Sequence, residues 1–147
     1  MRLSPHENLS KVFVIEKLPV FADGEIECEV YLEQNALFNV ILRGSLAKDE
    51  WYMARLDARP THWDCILFKP KGLAWEECNK DALKYHSPHS RWLTMRVVAE
   101  GARISLYRDG QLVDRISDAK LADGRISLFA EVANVHVRKI SISPTST

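Results

Sequence analysis

Apolar and polar side chains alternate along much of this chain with a period of two, the pattern of a strand that buries one face. Residues 25–33 alternate strictly, and their even positions are predicted to face a core: Ile26, Cys28, Val30 and Leu32. Residues 92–110 contain two further strands, joined at Glu100-Gly101 and followed by a turn at Asp109-Gly110. Because such glycine-containing pairs form tight hairpin turns, these strands are predicted to pair antiparallel.

Similar short strands recur at regular spacing, and no segment shows a sustained period near 3.6. The predicted strands are 12–16, 25–33, 37–43, 51–57, 64–69, 92–99, 102–108, 112–116, 124–131 and 135–142. In the last of these the apolar phase changes, which predicts a β-bulge near Arg138-Lys139. Between Pro70 and Arg91 the pattern is lost. The fold class is therefore all-β, an antiparallel sandwich or barrel, in one domain spanning residues 1–147.

The charge balance narrows the choice of partner. Lys and Arg together number 20, Asp and Glu together also number 20, and the formal net charge is zero. Nucleic acid and anionic membranes call for a basic surface, so neither is an expected partner. No segment is apolar and long enough to serve as a signal peptide or to cross a bilayer. We expect a soluble protein, cytoplasmic as it stands, or a domain excised from an exported one, since residues 141–147 resemble a Ser/Thr/Pro linker.

Sequence motifs for metals, disulfides and common enzymes are missing. The three cysteines are odd in number and share no C-x-x-C spacing, which predicts neither a disulfide framework nor a zinc site. Three histidines in presumed loops match no metal-ligand spacing and are interpreted as surface residues: His62, His86 and His89. No phosphate loop, nucleophile elbow or H-E-x-x-H motif occurs. No cofactor is expected; a structural calcium ion is left open, but nothing indicates one.

Five segments, taken in order, carry a resemblance to a known group: Asp23–Glu27, Ile41–Gly44, Trp51–Leu56, Trp92–Gly110 and Gly124–Phe129. Together they resemble the concanavalin A-like lectin/glucanase superfamily, in its laminin G-like and 3-keto-disaccharide-hydrolase-like branch. The resemblance implies a jelly-roll sandwich of two antiparallel sheets, one of them concave. It also implies a carbohydrate ligand in that concavity or on its loops, and hydrolysis of glycosides in some members. A fold shared by many functions does not choose among them.

Aromatic, arginine and carboxylate side chains are the residue types that a sugar site requires. Aromatic rings stack on the apolar faces of pyranose rings, while charged groups bond the hydroxyls. Strict alternation places Trp51 and Arg55 on the face opposite the core, and Arg43 lies on a strand expected to be close by. These three are predicted ligand contacts, and Glu27, Trp63 and Trp75 complete the candidate set. The alternative is an Arg–Glu ladder against residues 25–29 with no ligand.

The three glutamates on one face of residues 25–29 support a second hypothesis. Glu25-Ile-Glu-Cys-Glu29 resembles the Glu-x-Asp-x-Glu strand of laminarinase-like glycosidases, in which the outer glutamates are nucleophile and acid/base. Retaining hydrolysis needs carboxyl groups about 5–5.5 Å apart. Positions four residues apart on a flat strand lie roughly 13 Å apart. We therefore favour a solvent-exposed face on which the glutamates are balanced by arginines across the strands.

Three functions are consistent with these residues. The first is a non-catalytic module that binds carbohydrate through Trp51, Arg43 and Arg55. The second is a glycoside hydrolase with Glu29 as acid/base and Glu25 as nucleophile or electrostatic stabiliser. The third is a protein-interaction or self-association domain that uses Trp63 or Trp75, because large aromatic side chains are costly to expose.

Overall fold

The computed structural model describes residues 2–3, 13–14, 22–45, 48–78, 84–117, 121 and 124–144. Within them the strands are β1 (Arg2–Leu3), β2 (Phe13–Val14), β3 (Gly24–Leu32), β4 (Leu37–Ser45), β5 (Glu50–Asp57), β6 (Cys65–Lys69), β7 (Glu76–Glu77), β8 (Trp92–Glu100), β9 (Arg103–Arg108), β10 (Gln111–Ile116), β11 (Arg125–Glu131) and β12 (Val135–Pro144). In this part of the chain, no helix is long and apolar enough to cross a membrane.

The predicted strands are confirmed to within two residues at either end. The first, 12–16, coincides with β2 at Phe13–Val14, and its other three residues lie outside the described part of the chain. The bulge predicted near Arg138-Lys139 is confirmed by a register shift between Arg138 and Ser141. Strands β1 and β7 were not predicted, because two residues are too few to show an alternating pattern.

The described strands form two antiparallel six-stranded sheets. Sheet A has the order β1-β12-β3-β8-β9-β10, and sheet B has the order β2-β11-β4-β5-β6-β7. The hairpin between β9 and β10 turns at Asp109 and Gly110, whose φ angles of 51° and 80° are those of a type I′ turn. The predicted all-β antiparallel sandwich is therefore confirmed.

The core lies between the inner faces of the two sheets. Sheet A contributes the predicted even positions of β3 together with alternate residues of its neighbours, among them Leu93, Met95, Val97, Ile104 and Val137. Sheet B contributes a matching set that includes Phe38, Val40, Leu42, Tyr52, Ala54, Leu56, Ile66, Ile126 and Leu128. Burial of these side chains is the main favourable contribution to folding.

Sheet B differs from sheet A because its outer face is also buried. Strand β3 alternates between buried and more exposed positions, whereas every residue of β4 from Leu37 to Arg43 is buried. A second apolar cluster of Met53, Cys65 and Leu67 lies on the outer side of sheet B, with Trp63, Trp75 and Phe129 packed against it. Side chains on this face are therefore held in place by packing.

Arg43 ties the end of sheet B to the segment that leads into sheet A. Its guanidinium donates to the carbonyl oxygens of Ala22 (3.1 Å from Nη2) and Leu121 (2.9 Å from Nη1), and it pairs with Asp23 at 3.3 Å. The side chain is 1% exposed. Asp23 also accepts a hydrogen bond from the backbone N–H of Gly101. Buried polar groups need such partners, so Arg43 stabilises the junction of the sheets.

The turn between β11 and β12 is strained. Ala133 N–H donates to the carbonyl of Glu131 at 2.9 Å, which closes a three-residue turn around Val132. Val132 has a φ of 71°. Three-residue turns with a positive central φ are rare and strained, and a positive φ is most costly for a β-branched residue. Since Val132 is 58% exposed, little packing compensates for the strain. The strain is thus located directly after Glu131.

Replacing the buried Arg43 by methionine is expected to lower the free energy of unfolding by about 3 kcal/mol, because two carbonyl oxygens and the Asp23 carboxylate lose their charged donor. Chemical denaturation measures the change. The matched control is Arg96→Met, which removes a half-exposed ion pair with Glu25 and is expected to cost less than about 1 kcal/mol. Equal effects of the two substitutions would contradict the structural role of Arg43.

Val132→Gly is expected to raise the free energy of unfolding by about 1 kcal/mol. Relief of backbone strain contributes about 1–3 kcal/mol, and the extra freedom of glycine in the unfolded chain removes about 0.4–1 kcal/mol. Asn35→Gly is the control, because Asn35 also has a positive φ of 65° but asparagine tolerates it. Destabilisation by Val132→Gly would show that the turn is not strained.

Candidate functional site

The strand register brings polar residues together on the outer face of sheet B. Asn39 of β4 lies between Phe129 of β11 and Arg55 of β5, and Arg55 lies beside Cys65 of β6. Glu131 is two residues beyond Phe129 and therefore points to the same face. The outer face thus collects side chains from β11, β4, β5 and β6 in one row.

Arg55, Asn39 and Glu131 form a hydrogen-bonded polar cluster. Arg55 Nε donates to Asn39 Oδ1 at 2.9 Å, and Arg55 Nη2 pairs with Glu131 Oε1 at 3.2 Å. Asn39 Nδ2 donates to the same Glu131 oxygen at 3.4 Å and is fully buried. Among the described residues Glu131 Oε2 has no donor, and the side chains of Arg55 and Glu131 are 15% and 33% exposed. The cluster is preorganised, yet both of its charged side chains, Arg55 and Glu131, are partly exposed.

A second charged pair lies beside this cluster. Arg59 Nε and Nη2 donate to the two carboxylate oxygens of Asp57 at 3.0 and 2.7 Å. Hydrogen bonding to Asp57 raises the pKa of Arg59 above its ordinary value. Asp57 is buried and lies across from Leu37 in the row next to that of Asn39 and Arg55. The geometry of Arg59 is therefore set by an almost fully buried carboxylate.

Three tryptophans cover the rest of the outer face, and each is half-buried. Trp63 and Trp75 pack against the apolar cluster around Met53. The rings of Trp51 and Trp75 meet edge to face with centroids 5.5 Å apart. Lys69 Nζ lies 5.1 Å from the Trp51 ring and Lys84 Nζ lies 5.2 Å from the Trp63 ring. On this face, charged side chains therefore lie next to aromatic rings.

Asp64 fixes the segment that carries Trp63. Its carboxylate accepts hydrogen bonds from Asp57 N–H and Ser87 Oγ, both at 2.8 Å, and pairs with Arg108 of sheet A. Burial raises the pKa of Asp64 to about 6 despite these partners. The residues linked by Asp64 belong to both sheets and to the loop around Ser87. The position of Trp63 is therefore set by the body of the sandwich.

Cys65 is the one cysteine among the described residues of this face. It is buried, and burial raises the pKa of its thiol to about 12. A thiolate nucleophile is therefore absent at neutral pH. The histidines His62, His86 and His89 are exposed, and the described residues contain no cluster of three or more side chains that could hold a metal ion.

Four of the predicted site residues lie on the outer face of sheet B: Trp51, Arg55, Trp63 and Trp75. Arg43 does not, because a register shift between Leu42 and Ser45 breaks the alternation and Arg43 has a φ of 50°. Its buried side chain bonds the junction of the sheets and is out of reach of a ligand. The sequence predicted that Arg43 lies on a strand close to Trp51 and Arg55, and the pairing of β4 with β5 agrees, but it did not fix the face on which Arg43 lies.

Glu27 lies on the other side of the molecule, on the outer face of sheet A with Glu25 and Glu29. Glu25 pairs with Arg96 of β8 at 3.0 Å, and Glu29 pairs with Arg138 and Lys139 of β12. The expected ladder of glutamates and arginines is present, but Arg43 and Arg55 are not part of it. Glu27 therefore cannot share a site with Trp51 or Arg55.

Glu29 is poorly suited to act as a general acid. Hydrogen bonds from Arg138 and Lys139 hold the pKa of its carboxyl below the usual value. A glycosidase acid needs a pKa that is raised, so that it carries a proton at neutral pH. The environment of Glu29 therefore opposes the hydrolase hypothesis that rests on Glu25 and Glu29.

Asn39 and Glu131 were not among the predicted site residues. Asn39 interrupts an otherwise apolar run from Leu37 to Leu42, and this break in the pattern could have identified it. Glu131 ends its strand, a position at which a glutamate needs no special explanation. Only the pairing of β11 with β4 brings Glu131 next to Asn39 and Arg55.

The fold is that of known concanavalin A-like jelly-roll sandwiches, as the resemblance implied. The carbohydrate-binding module CBM66 from Bacillus subtilis has a TM-score of 0.70 at 18% identity over 85% of this chain and 77% of that one. The galectin LEC-6 from Caenorhabditis elegans has a TM-score of 0.60 at 13% identity over 93% and 94%. The beta-glucanase from Bacillus licheniformis has a TM-score of 0.60 at 10% identity over 88% and 69%.

A search of curated protein sequences gives no match. A family model, described as the 3-keto-alpha-glucoside-1,2-lyase-like domain, matches residues 9–143. The match includes every described strand except β1 and the last residue of β12, and every residue of the polar cluster on sheet B. The chain therefore belongs to the family of 3-keto-alpha-glucoside-1,2-lyase-like domains.

Proposed function

We propose that the outer face of sheet B binds carbohydrate. Arg55 and Glu131 bond sugar hydroxyls, Asn39 holds both of them in position, and the tryptophans of the same face pack against sugar rings. The observation that carries the proposal is the Arg55–Asn39–Glu131 cluster, which is fixed by its own hydrogen bonds and flanked by aromatic rings.

The chemistry of the cluster matches that of a sugar hydroxyl, which donates one hydrogen bond and accepts others. Glu131 Oε2 accepts, and Arg55 donates through the guanidinium N–H groups that are not bonded to Asn39 or Glu131. Because the partners are already oriented, little side-chain entropy is lost on binding. A neutral ligand is attracted through hydrogen bonds and stacking, so binding is modest and largely insensitive to salt.

Two comparisons support a carbohydrate ligand. The family is described by an activity on glucosides, and the similar structure from Bacillus subtilis is described as a carbohydrate-binding module. The groups that would contact the ligand are found in this chain itself. They are a pair of opposite charges with unused bonding capacity and half-buried indole rings on one face.

Arg55→Met is expected to weaken binding of any saccharide by at least about tenfold, which corresponds to roughly 1.4 kcal/mol. Calorimetric titration with a saccharide selected on a glycan array measures the change. Arg96→Met is the matched control, since Arg96 also pairs with a glutamate but lies on the outer face of sheet A. Denaturation of each variant separates loss of binding from loss of folding. Equal binding by the folded Arg55→Met variant and the wild-type protein would refute the proposed site.

A second candidate function is elimination from a 3-keto-glucoside, and it is favoured by Glu131 Oε2, which has no donor among the described residues. The ketone makes the hydrogen on the adjacent carbon acidic, and in this candidate function Glu131 removes it as a general base. The electron pair then forms the double bond to the anomeric carbon, whose bond to the glycosidic oxygen breaks. The released alcohol takes up a proton from an acid or from water, and Arg55 stabilises the enolate oxygen.

This candidate predicts that the protein converts a 3-keto-α-glucoside into a conjugated enone, which is followed by its ultraviolet absorbance. Glu131→Gln is expected to slow the reaction by at least about 100-fold, the usual contribution of a general base. The amide oxygen keeps an acceptor for Asn39 and Arg55, so the polar cluster stays in place while the base is lost. If the wild-type protein binds the compound without converting it, the domain is a binding module and not a lyase.

A further inference from the structure

We infer that the site extends along β5 from the polar cluster to Trp51 and Trp75, and that its ligand is a chain of sugars. This inference rests on the proposed carbohydrate function and adds a second subsite to it. The polar subsite consists of Arg55, Asn39 and Glu131, and the aromatic subsite consists of Trp51, Trp75 and Lys69.

The two subsites are separated by more than the width of one sugar ring. Trp51 and Arg55 are four residues apart on the same strand and share its outer face. At a rise of roughly 3.3 Å per residue, their backbones lie about 13 Å apart. A single pyranose bonded to Arg55 therefore does not reach Trp51, whereas a linear oligosaccharide does.

The side chains between the subsites are apolar and are covered by aromatic rings. The row that separates them contains Ile41, Met53 and Leu67, side by side on β4, β5 and β6. These side chains are buried, and the rings of Trp63, Trp75 and Phe129 pack against the cluster that Met53 and Leu67 form with Cys65. Among these described residues none carries a charge. Sugar rings that join the two subsites therefore stack on these partly buried aromatic rings and leave no charged group unsolvated.

The aromatic subsite repeats the composition of the polar subsite. It contains a charged pair, Lys69 with Asp49 at 2.9 Å, next to the edge-to-face pair Trp51 and Trp75. The Asp49 side chain is 46% exposed, so it is open to a hydroxyl group. Leu73, in the loop that leads to Trp75, is 65% exposed and adds apolar surface at the rim. Ring stacking and hydroxyl bonding are therefore available at both ends of the face.

Calorimetric titration with glucose and with α- and β-linked gluco-oligosaccharides of two to four units tests the inference. We expect affinity to rise with chain length, by about tenfold in total, or roughly 1.4 kcal/mol. Trp75→Ala is expected to abolish this gain with chain length. Arg55→Met is expected to weaken binding of every length.

Trp92→Ala is the matched control, because Trp92 is a partly exposed tryptophan on the outer face of sheet A, where Arg138 stacks on it. If Trp75→Ala fails to fold, Leu73→Ser replaces it, since an exposed leucine contributes little to stability. Saccharide binding that is equal at all lengths would overturn the extended site and leave the polar subsite intact. Absence of binding to every saccharide would overturn the carbohydrate function and the extended site with it.

Discussion

The burial of sheet B on both faces is the constraint on which the candidate site depends. Its inner face packs against sheet A, and its outer face is covered by aromatic side chains. A side-chain amide under such a cover requires partners, because leaving it unpaired costs about 1–3 kcal/mol. Asn39 meets this requirement by bonding both Arg55 and Glu131. The same requirement that keeps the face stable therefore orients the two charged groups that reach solvent.

In the described part of the chain, the outer face of sheet A, unlike that of sheet B, is not covered by a layer of aromatic side chains. Its outer face carries ion pairs between neighbouring strands, such as Glu25 with Arg96 and Glu29 with Arg138. Pairs at this degree of exposure contribute little to stability and are free to rearrange. The row of glutamates resembles a catalytic strand only in its spacing. In the structure each outer glutamate is bonded to a cation, which opposes its use as a proton donor.

Two buried charged side chains, Arg43 and Asp64, each connect sheet B to sheet A or to the segment that leads into it. Arg43 connects the end of β4 to the segment before β3, and Asp64 connects the Trp63 segment to Arg108 of sheet A. Both links use charged groups with full sets of hydrogen bonds, so removal of one partner would leave the other uncompensated. The Asp64 link holds the segment that carries Trp63 on the outer face of sheet B. A site built in this way is preorganised, which favours binding by a shallow surface.

The sequence by itself determined the strands, the core face of β3, the bulge in β12 and the tight turns. Each of these is set by neighbours within a few residues, through side-chain period and the φ angles that glycine and aspartate allow. It also placed Trp51 and Arg55 on the face away from the core. Only the tertiary structure decided what that face contains, because its rows are built from strands distant in sequence. Glu131 meets Arg55 across 76 residues, and Arg43 leaves the face because a bulge changes its phase. Alternation states which side of a strand a residue is on, but not which strand lies beside it.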